Sequence, residues 1–146
     1  MKQLFDEQPT DNNSYTFYYE SERILVKAHP KFDGYWCGED GHIYSVKQKH
    51  LRRMQEHLNT NGYLKVGVCK NGKVHTSWVH ILIADAWLEP AGEDDFGNPR
   101  NQINHKDGVK TNNHLSNLER NSAKENSYHF RHILRKIADE TLAIDT

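Results

Sequence analysis

The stretch NQINHKDGVKTNNHLSNLERNSAKEN, residues 101–126, decides the fold. Gln102-Ile103-Asn104-His105 is a short extended piece. Lys106-Asp107-Gly108 is a turn signal, with Gly108 predicted at positive φ. Leu115, Leu118 and the polar residues between them predict a second short strand around 117–120. Ser122, with Glu125 three residues on, is a capping box: the serine caps orphan N–H groups and the glutamate reaches back. It predicts a helix over 122–139 with Phe130, Ile133, Leu134 and Ile137 as its apolar stripe. The order is strand, loop, strand, helix. It places Asn104 and His105 at the end of the first strand and Asn126 in the first turns of the helix, where the three side chains can converge. Asn112 and Asn113 read as turn residues.

Upstream, GYLKVGVCKNGKVHTSWV (62–79) alternates Leu64, Val66 and Val68 with Lys65, Gly67 and Cys69, which is strand period. Asn71-Gly72 supplies the two positive-φ residues of a type I′ turn, so this is a β-hairpin. In WVHILIADAWL (78–88), Val79, Leu82, Ile83, Ala86 and Trp87 form one helical stripe, ended by Pro90. His80 on that helix reads as a structural, hydrogen-bonding residue. SYTFYYE (14–20), RILVKA (23–28) and GHIYSV (41–46) read as short strands. Residues 1–14, polar and acidic, read as disordered.

The 146 residues fit one domain, with 36% apolar residues and a mean hydropathy of -0.91. No apolar run approaches the length of a membrane span, and the N-terminus lacks a signal-peptide core. The expected location is the cytoplasm. The net charge of -1 hides segmentation. Residues 23–80 hold ten Lys/Arg against four acids, residues 81–99 hold five acids and no Lys/Arg, and residues 100–136 hold eight Lys/Arg against three acids. Two basic blocks permit a polyanion on one face of a chain that is neutral overall. Cys37, His42, Cys69 and His75 are spaced too loosely for a zinc knuckle, so no structural Zn²⁺ is expected.

The text INHKDGVKTNNHLSNLERNSAKEN resembles the HNH endonucleases, the ββα-metal nucleases, and most closely their phage homing-type branch. GYLKVGVCKNGKVHTSWVHILIADAW looks like the hairpin and His-bearing helix that precede the motif there, and GYWCGEDGHIYSVK is similar to the small strand module further upstream. The resemblance implies an α+β fold: small N-terminal antiparallel strands and a hairpin, then a ββα-metal motif. It implies that His105 is a general base activating water, and that Asn104 and Asn126 bind one divalent ion through their side-chain oxygens. It implies that Asn117 ties the loop down and orients His105. Oxygen ligation favours Mg²⁺, with Mn²⁺ as the second choice. Asp107 and His129 are the reserve ligands. Asn104 departs from relatives that carry an acid or histidine there, and Asn126 from the many with histidine.

The activity implied is metal-dependent hydrolysis of DNA phosphodiester bonds, by nicking or double-strand cutting, to 5′-phosphate and 3′-hydroxyl ends. The alternative is a DNA-binding protein with a decayed HNH site. The partner is double-stranded DNA, met by a monomer or homodimer in the cytoplasm, that of the host cell if the chain is phage-encoded. The organisation expected is an acidic flexible N-terminus (1–22), a strand, hairpin and helix module contacting DNA (23–88), an acidic loop (89–101), the HNH motif (102–138) and a tail (139–146). Charge and position nominate Lys47, Lys49, Arg52, Arg53, Lys65, Lys73, Arg131 and Arg135 as phosphate contacts.

Overall fold

A computed structural model of the chain describes residues 14–47, 50–129, 131, 132 and 135. Five strands, β1 (Ser14–Tyr19), β2 (Glu22–Ala28), β3 (Tyr35–Gly38), β4 (Ile43–Lys47) and β5 (His50–Arg53), form an antiparallel meander in sequence order. A second sheet joins β6 (His57–Leu58), β7 (Leu64–Lys70) and β8 (Lys73–Trp78). The predicted turn is present between β7 and β8: Asn71 has φ 53° and Gly72 φ 75°. Helix α1 (Val79–Trp87) follows directly. Then come β9 (Gln102–His105), a 3-10 turn (Leu115–Asn117) and β10 (Leu118–Asn121), and finally a helix α2 over 123–129 that is also helical at 131, 132 and 135. The class is α+β, as expected.

Three strands escaped the sequence reading. β3, β5 and β6 are four residues or fewer and exist because neighbouring strands complete their ladders. The segment 1–22, expected to be flexible, overlaps β1, which pairs with β2 from Ser14 to Tyr19. Residues 1–13, the tail 139–146 and the stripe residues Phe130, Ile133, Leu134 and Ile137 lie outside the described residues.

The core explains why α1 sits at the centre. Val79, Leu82 and Ile83 of its stripe are buried with Cys37 and Ile43 of the first sheet, Val66 and Val68 of the second, and Leu118 of β10. One helix face therefore unites all three sheets. A separate cluster of Ile24, Val26 and Tyr44 lies within the meander. Trp87, at the end of the stripe, donates from Nε1 to the Cys37 carbonyl at 2.7 Å. The C-terminal carbonyls of α1 have no basic residue in their own turn. Arg120 of β10 supplies the charge instead, reaching the carbonyls of Ala84 (3.3 Å), Leu88 (3.2 Å) and Glu89 (3.1 Å). A cation at that end of a helix is favourable because the carbonyl dipoles point outward there. Among the described residues no helix is long and apolar enough to cross a membrane.

Candidate active site

The β9–β10 hairpin carries the site. Its register pairs His105 with Leu118, Asn104 with Glu119, Ile103 with Arg120 and Gln102 with Asn121. Side chains alternate across a strand. Gln102, Asn104, Glu119 and Asn121 therefore share one face, and Ile103, His105, Leu118 and Arg120 share the face toward α1. The expected convergence of three side chains is thus only partly met: Asn104 and His105 leave the strand on opposite sides.

On the polar face, Asn104 is buried and donates from Nδ2 to Glu119 Oε1 at 2.8 Å, and Asn121 donates to the same oxygen at 3.3 Å. Asn126 comes down from α2 to donate from Nδ2 to Gln102 Oε1 at 3.0 Å. Asn126 therefore meets the hairpin at Gln102, two residues before Asn104. Glu119, missed by the sequence reading, places a carboxylate beside Asn104, where several relatives were expected to carry the acid themselves. Only the cross-strand register could have pointed to it.

On the other face, His105 is 5% exposed. Its ring packs against His80 (centroids 5.2 Å apart) and Tyr63 (5.9 Å), and Tyr63 stacks on His80 at 4.9 Å. His105 Nε2 lies 2.7 Å from Asn113 Oδ1. Asn113 is therefore more than a turn residue: it is buried and holds the imidazole. His80 also departs from expectation. Its Nδ1 is buried without a hydrogen-bond partner, and the residue acts through ring packing. Burial, reinforced by the neighbouring His105, pushes its pKa down to about 4, so the ring is neutral near pH 7. Asn126, His80, Tyr63, Trp78 and Gln102 share a cleft of about 460 Å³.

Asn117 locks the connecting loop. Its Oδ1 accepts from the Asp107 N–H at 3.0 Å, and its Nδ2 donates to Asp107 Oδ1 at 2.8 Å and to the Asn112 carbonyl at 2.9 Å. Asp107 also accepts from the Val109 N–H and Asn112 Nδ2, both at 2.8 Å. Partial burial opposes ionisation of Asp107, but these hydrogen bonds outweigh it and hold the carboxyl below its ordinary range. With its oxygens so engaged, Asp107 is a loop brace. His129 Nε2 sits 2.8 Å from the Lys106 carbonyl, to which it donates, fastening α2 to the end of β9.

The capping box forms as predicted: Ser122 N–H to Glu125 Oε1 at 3.0 Å and Glu125 N–H to Ser122 Oγ at 3.1 Å. The acidic loop reinforces it. Ser122 Oγ donates to Asp94 Oδ2 at 2.5 Å, and Arg100 forms a two-pronged ion pair with Glu125 at 3.0 and 3.2 Å.

The cationic candidates divide. Arg52, Lys73, Arg131 and Arg135 are exposed. Lys65 is half-buried opposite Trp78. Arg53 is engaged internally, 2.8 Å from Tyr44 Oη, 3.4 Å from Asp40 and over the Tyr19 ring at 4.6 Å. The side chains of Lys47 and Lys49 lie outside the described residues. Cys37 is buried and donates to the Leu82 carbonyl at 3.3 Å, while His42 is held by Glu56 at 2.7 Å. Among the described residues no three His, Cys, Asp or Glu side chains gather as a metal cluster.

A two-stranded hairpin and a capped helix, carrying an Asn-His pair, a loop-locking Asn and a helical Asn, make the ββα arrangement expected from the resemblance to the HNH endonucleases. The comparisons agree. No protein-family model matches the chain. It is 33% identical over 96 residues to the SPbeta prophage-derived putative HNH homing endonuclease YosQ of Bacillus subtilis (strain 168), a match covering 65% of this chain and 51% of that protein. It is 32% identical over 84 residues to the DNA endonuclease I-HmuI of Bacillus phage SP01, covering 58% of this chain and 44% of the relative. An uncharacterized HNH endonuclease, L247, of Acanthamoeba polyphaga mimivirus is 31% identical over 88 residues, 60% of this chain and 20% of that one. A solved structure of the HNH homing endonuclease I-HmuI, a protein that binds and cleaves DNA, superposes with a TM-score of 0.61 at 27% identity, over 78% of this chain and 66% of the other. In sequence and in fold the chain is similar to the HNH endonucleases, with its likeness running to the phage and prophage homing branch. The chain spans between a fifth and about half of these curated relatives.

Proposed function

We propose that the chain is a metal-dependent DNA endonuclease of the phage or homing type, acting on double-stranded DNA in the cytoplasm. The observation that carries this reading is the setting of two amides. Asn104 and Asn126 commit their nitrogens to Glu119 and Gln102 of the same hairpin, which leaves their carbonyl oxygens to act as donors. Neutral, hard oxygen donors suit Mg²⁺, with Mn²⁺ as the second choice. Asn104 and Asn126 would hold the ion, and Glu119 supplies the negative charge that the amides lack. When bound, the ion stabilises charge developing on the phosphate and on the departing 3′ oxygen.

His105 is the general base. It accepts a proton from the attacking water as that oxygen bonds to phosphorus. The bond from phosphorus to the 3′ oxygen breaks, and the 3′ oxygen takes a proton from solvent. The products are a 5′-phosphate and a 3′-hydroxyl. An imidazole suits the role because its ordinary pKa lies near working pH. Asn117, through its grip on Asp107 and Asn112, keeps the loop from pulling β9 away from β10. The exposed Arg52, Lys73, Arg131 and Arg135 are the candidate phosphate contacts. A monomer with one site nicks; a homodimer cuts both strands.

The test uses supercoiled plasmid with Mg²⁺, Mn²⁺ or EDTA, beside His105→Ala. Conversion to open-circle or linear DNA, lost with EDTA and in the variant, is the expected result. A retained bandshift with no cutting in either metal would instead identify a DNA-binding protein with a decayed site.

A further inference from the structure

We infer that Asn113 is the positioning residue that fixes the tautomer of His105, and that the β3–β4 turn of the N-terminal sheet is the wall that holds Asn113 in place. The inference rests on the reading of His105 as the base. The first observation is the 2.7 Å contact between His105 Nε2 and Asn113 Oδ1, with both residues buried, at 5% and 4% exposure. The amide oxygen faces the ring and only accepts, so in this orientation Nε2 carries the proton and Nδ1 the lone pair, while Asn113 Nδ2 is buried without a partner. Nδ1 has no hydrogen bond to any described residue and is not among the sealed polar atoms. It is the nitrogen left to take a proton from water.

The second observation is what stands behind Asn113. Gly41, at φ +87°, lies against the Asn113 backbone so closely that an added Cβ would meet its carbonyl carbon at 2.4 Å and the His114 nitrogen at 2.6 Å. One residue pair on, the Leu115 N–H donates to the Glu39 carbonyl at 2.9 Å. The Glu39–Gly41 turn and the loop before β10 are thus fastened to each other by a close approach and a backbone hydrogen bond. The backbone of Asn113 is thereby held against this turn. The rings of His80 and Tyr63 pack against the imidazole itself and limit its tilting and sliding. The sheet upstream of the ββα unit is therefore part of the catalytic apparatus, acting through Asn113.

The experiment combines a spectroscopic and a kinetic reading. In protein labelled at histidine nitrogens, at a pH where His105 is neutral, its Nε2 should resonate in the protonated range and Nδ1 in the unprotonated range. Asn113→Leu, of similar size and without an acceptor, should lose the protected Nε2–H signal and lower kcat for plasmid cleavage about 100-fold, the order of a general base's contribution. Its KM for DNA should stay within about twofold of wild type. Asn113→Asp, which keeps an acceptor, should restore the Nε2–H signal and most of kcat. A His105 protonated on Nδ1 in the wild type overturns the inference, whatever the activity. So does an Asn113→Leu protein that cleaves as fast as wild type. A wild type inert with every metal sinks the nuclease reading instead, while the nitrogen spectra still decide the tautomer.

Discussion

Asn104 and Glu119 face each other across the β9–β10 hairpin, and the amide nitrogen of one donates to the carboxylate of the other at 2.8 Å. A partner that orients a metal ligand contributes about 10- to 100-fold to metal affinity in comparable sites. Glu119→Gln keeps an acceptor but removes the charge. Its affinity for Mn²⁺, titrated by electron paramagnetic resonance in the presence of an uncleavable DNA duplex, should fall by roughly tenfold or more. Equal affinity in the two proteins would show that the carboxylate is only a strand-pairing partner.

His80 gives the protein a defined acid sensitivity. Its folded pKa is about 4, against roughly 6.5 in an unfolded chain. Below about pH 6.5 the unfolded chain binds a proton that the native state excludes, so the stabilising contribution is full above that pH. It is lost as pH falls toward about 4 and changes no further below. The whole contribution is on the order of 3 kcal/mol. Denaturant unfolding between these limits should show the loss, and His80→Phe should reduce the slope. An identical slope in the variant would assign the sensitivity to other groups.

Arg120→Ala should remove three hydrogen bonds, to the carbonyls of Ala84 in α1 and of Leu88 and Glu89 just past its end, and the charge that complements them. Bonds from a charged donor contribute roughly 1.5–3 kcal/mol in net terms. We expect about 2–3 kcal/mol of destabilisation by denaturant titration. Arg120→Lys should recover only part of it, since an ammonium lacks the planar fork. Full recovery with lysine would mean that charge alone matters.

Ser122→Ala should destabilise the start of α2 by roughly 1–2 kcal/mol, the usual range for a lost N-cap. A second effect follows from Asp94. The Ser122 hydroxyl is the largest of the influences that hold the Asp94 carboxyl down to about 2, helped by hydrogen bonds from Asn98 and Phe96. In the variant, carboxyl resonances followed by NMR should show Asp94 titrating at higher pH. An unmoved Asp94 would sever the link drawn between the acidic loop and the helix cap.

The elements legible in the sequence were those specified locally. Asn71-Gly72 dictates its hairpin turn through φ alone, and Ser122 with Glu125 forms a cap within one helical turn. The stripe of α1 marks its buried face without reference to anything else. What was not legible depends on partners distant in the chain. Glu119 becomes part of the site only through register, because it lies opposite Asn104. Asn113 looks like any loop amide until Gly41, in the β3–β4 turn, is found against its backbone. Arg53 counted as a free cation by charge but is held by Tyr44 and Asp40. The strands β3, β5 and β6 are too short to carry a pattern of their own.

The position of Leu118 sets the size of the piece that evolution or a designer can move. Leu118 is buried in the same cluster as Val79, Leu82 and Ile83, and Arg120 beside it closes the end of α1. Among the described residues, the apolar side chains of the ββα segment, Leu118 with Ile103 and Leu115, pack into the cluster built on the helix before it. A graft beginning at residue 101 would expose that shared surface and arrive unfolded or insoluble. The smallest transplantable cassette starts with the β7–β8 hairpin and α1, and must recreate the Gly41 turn in its new host if the imidazole is to be held.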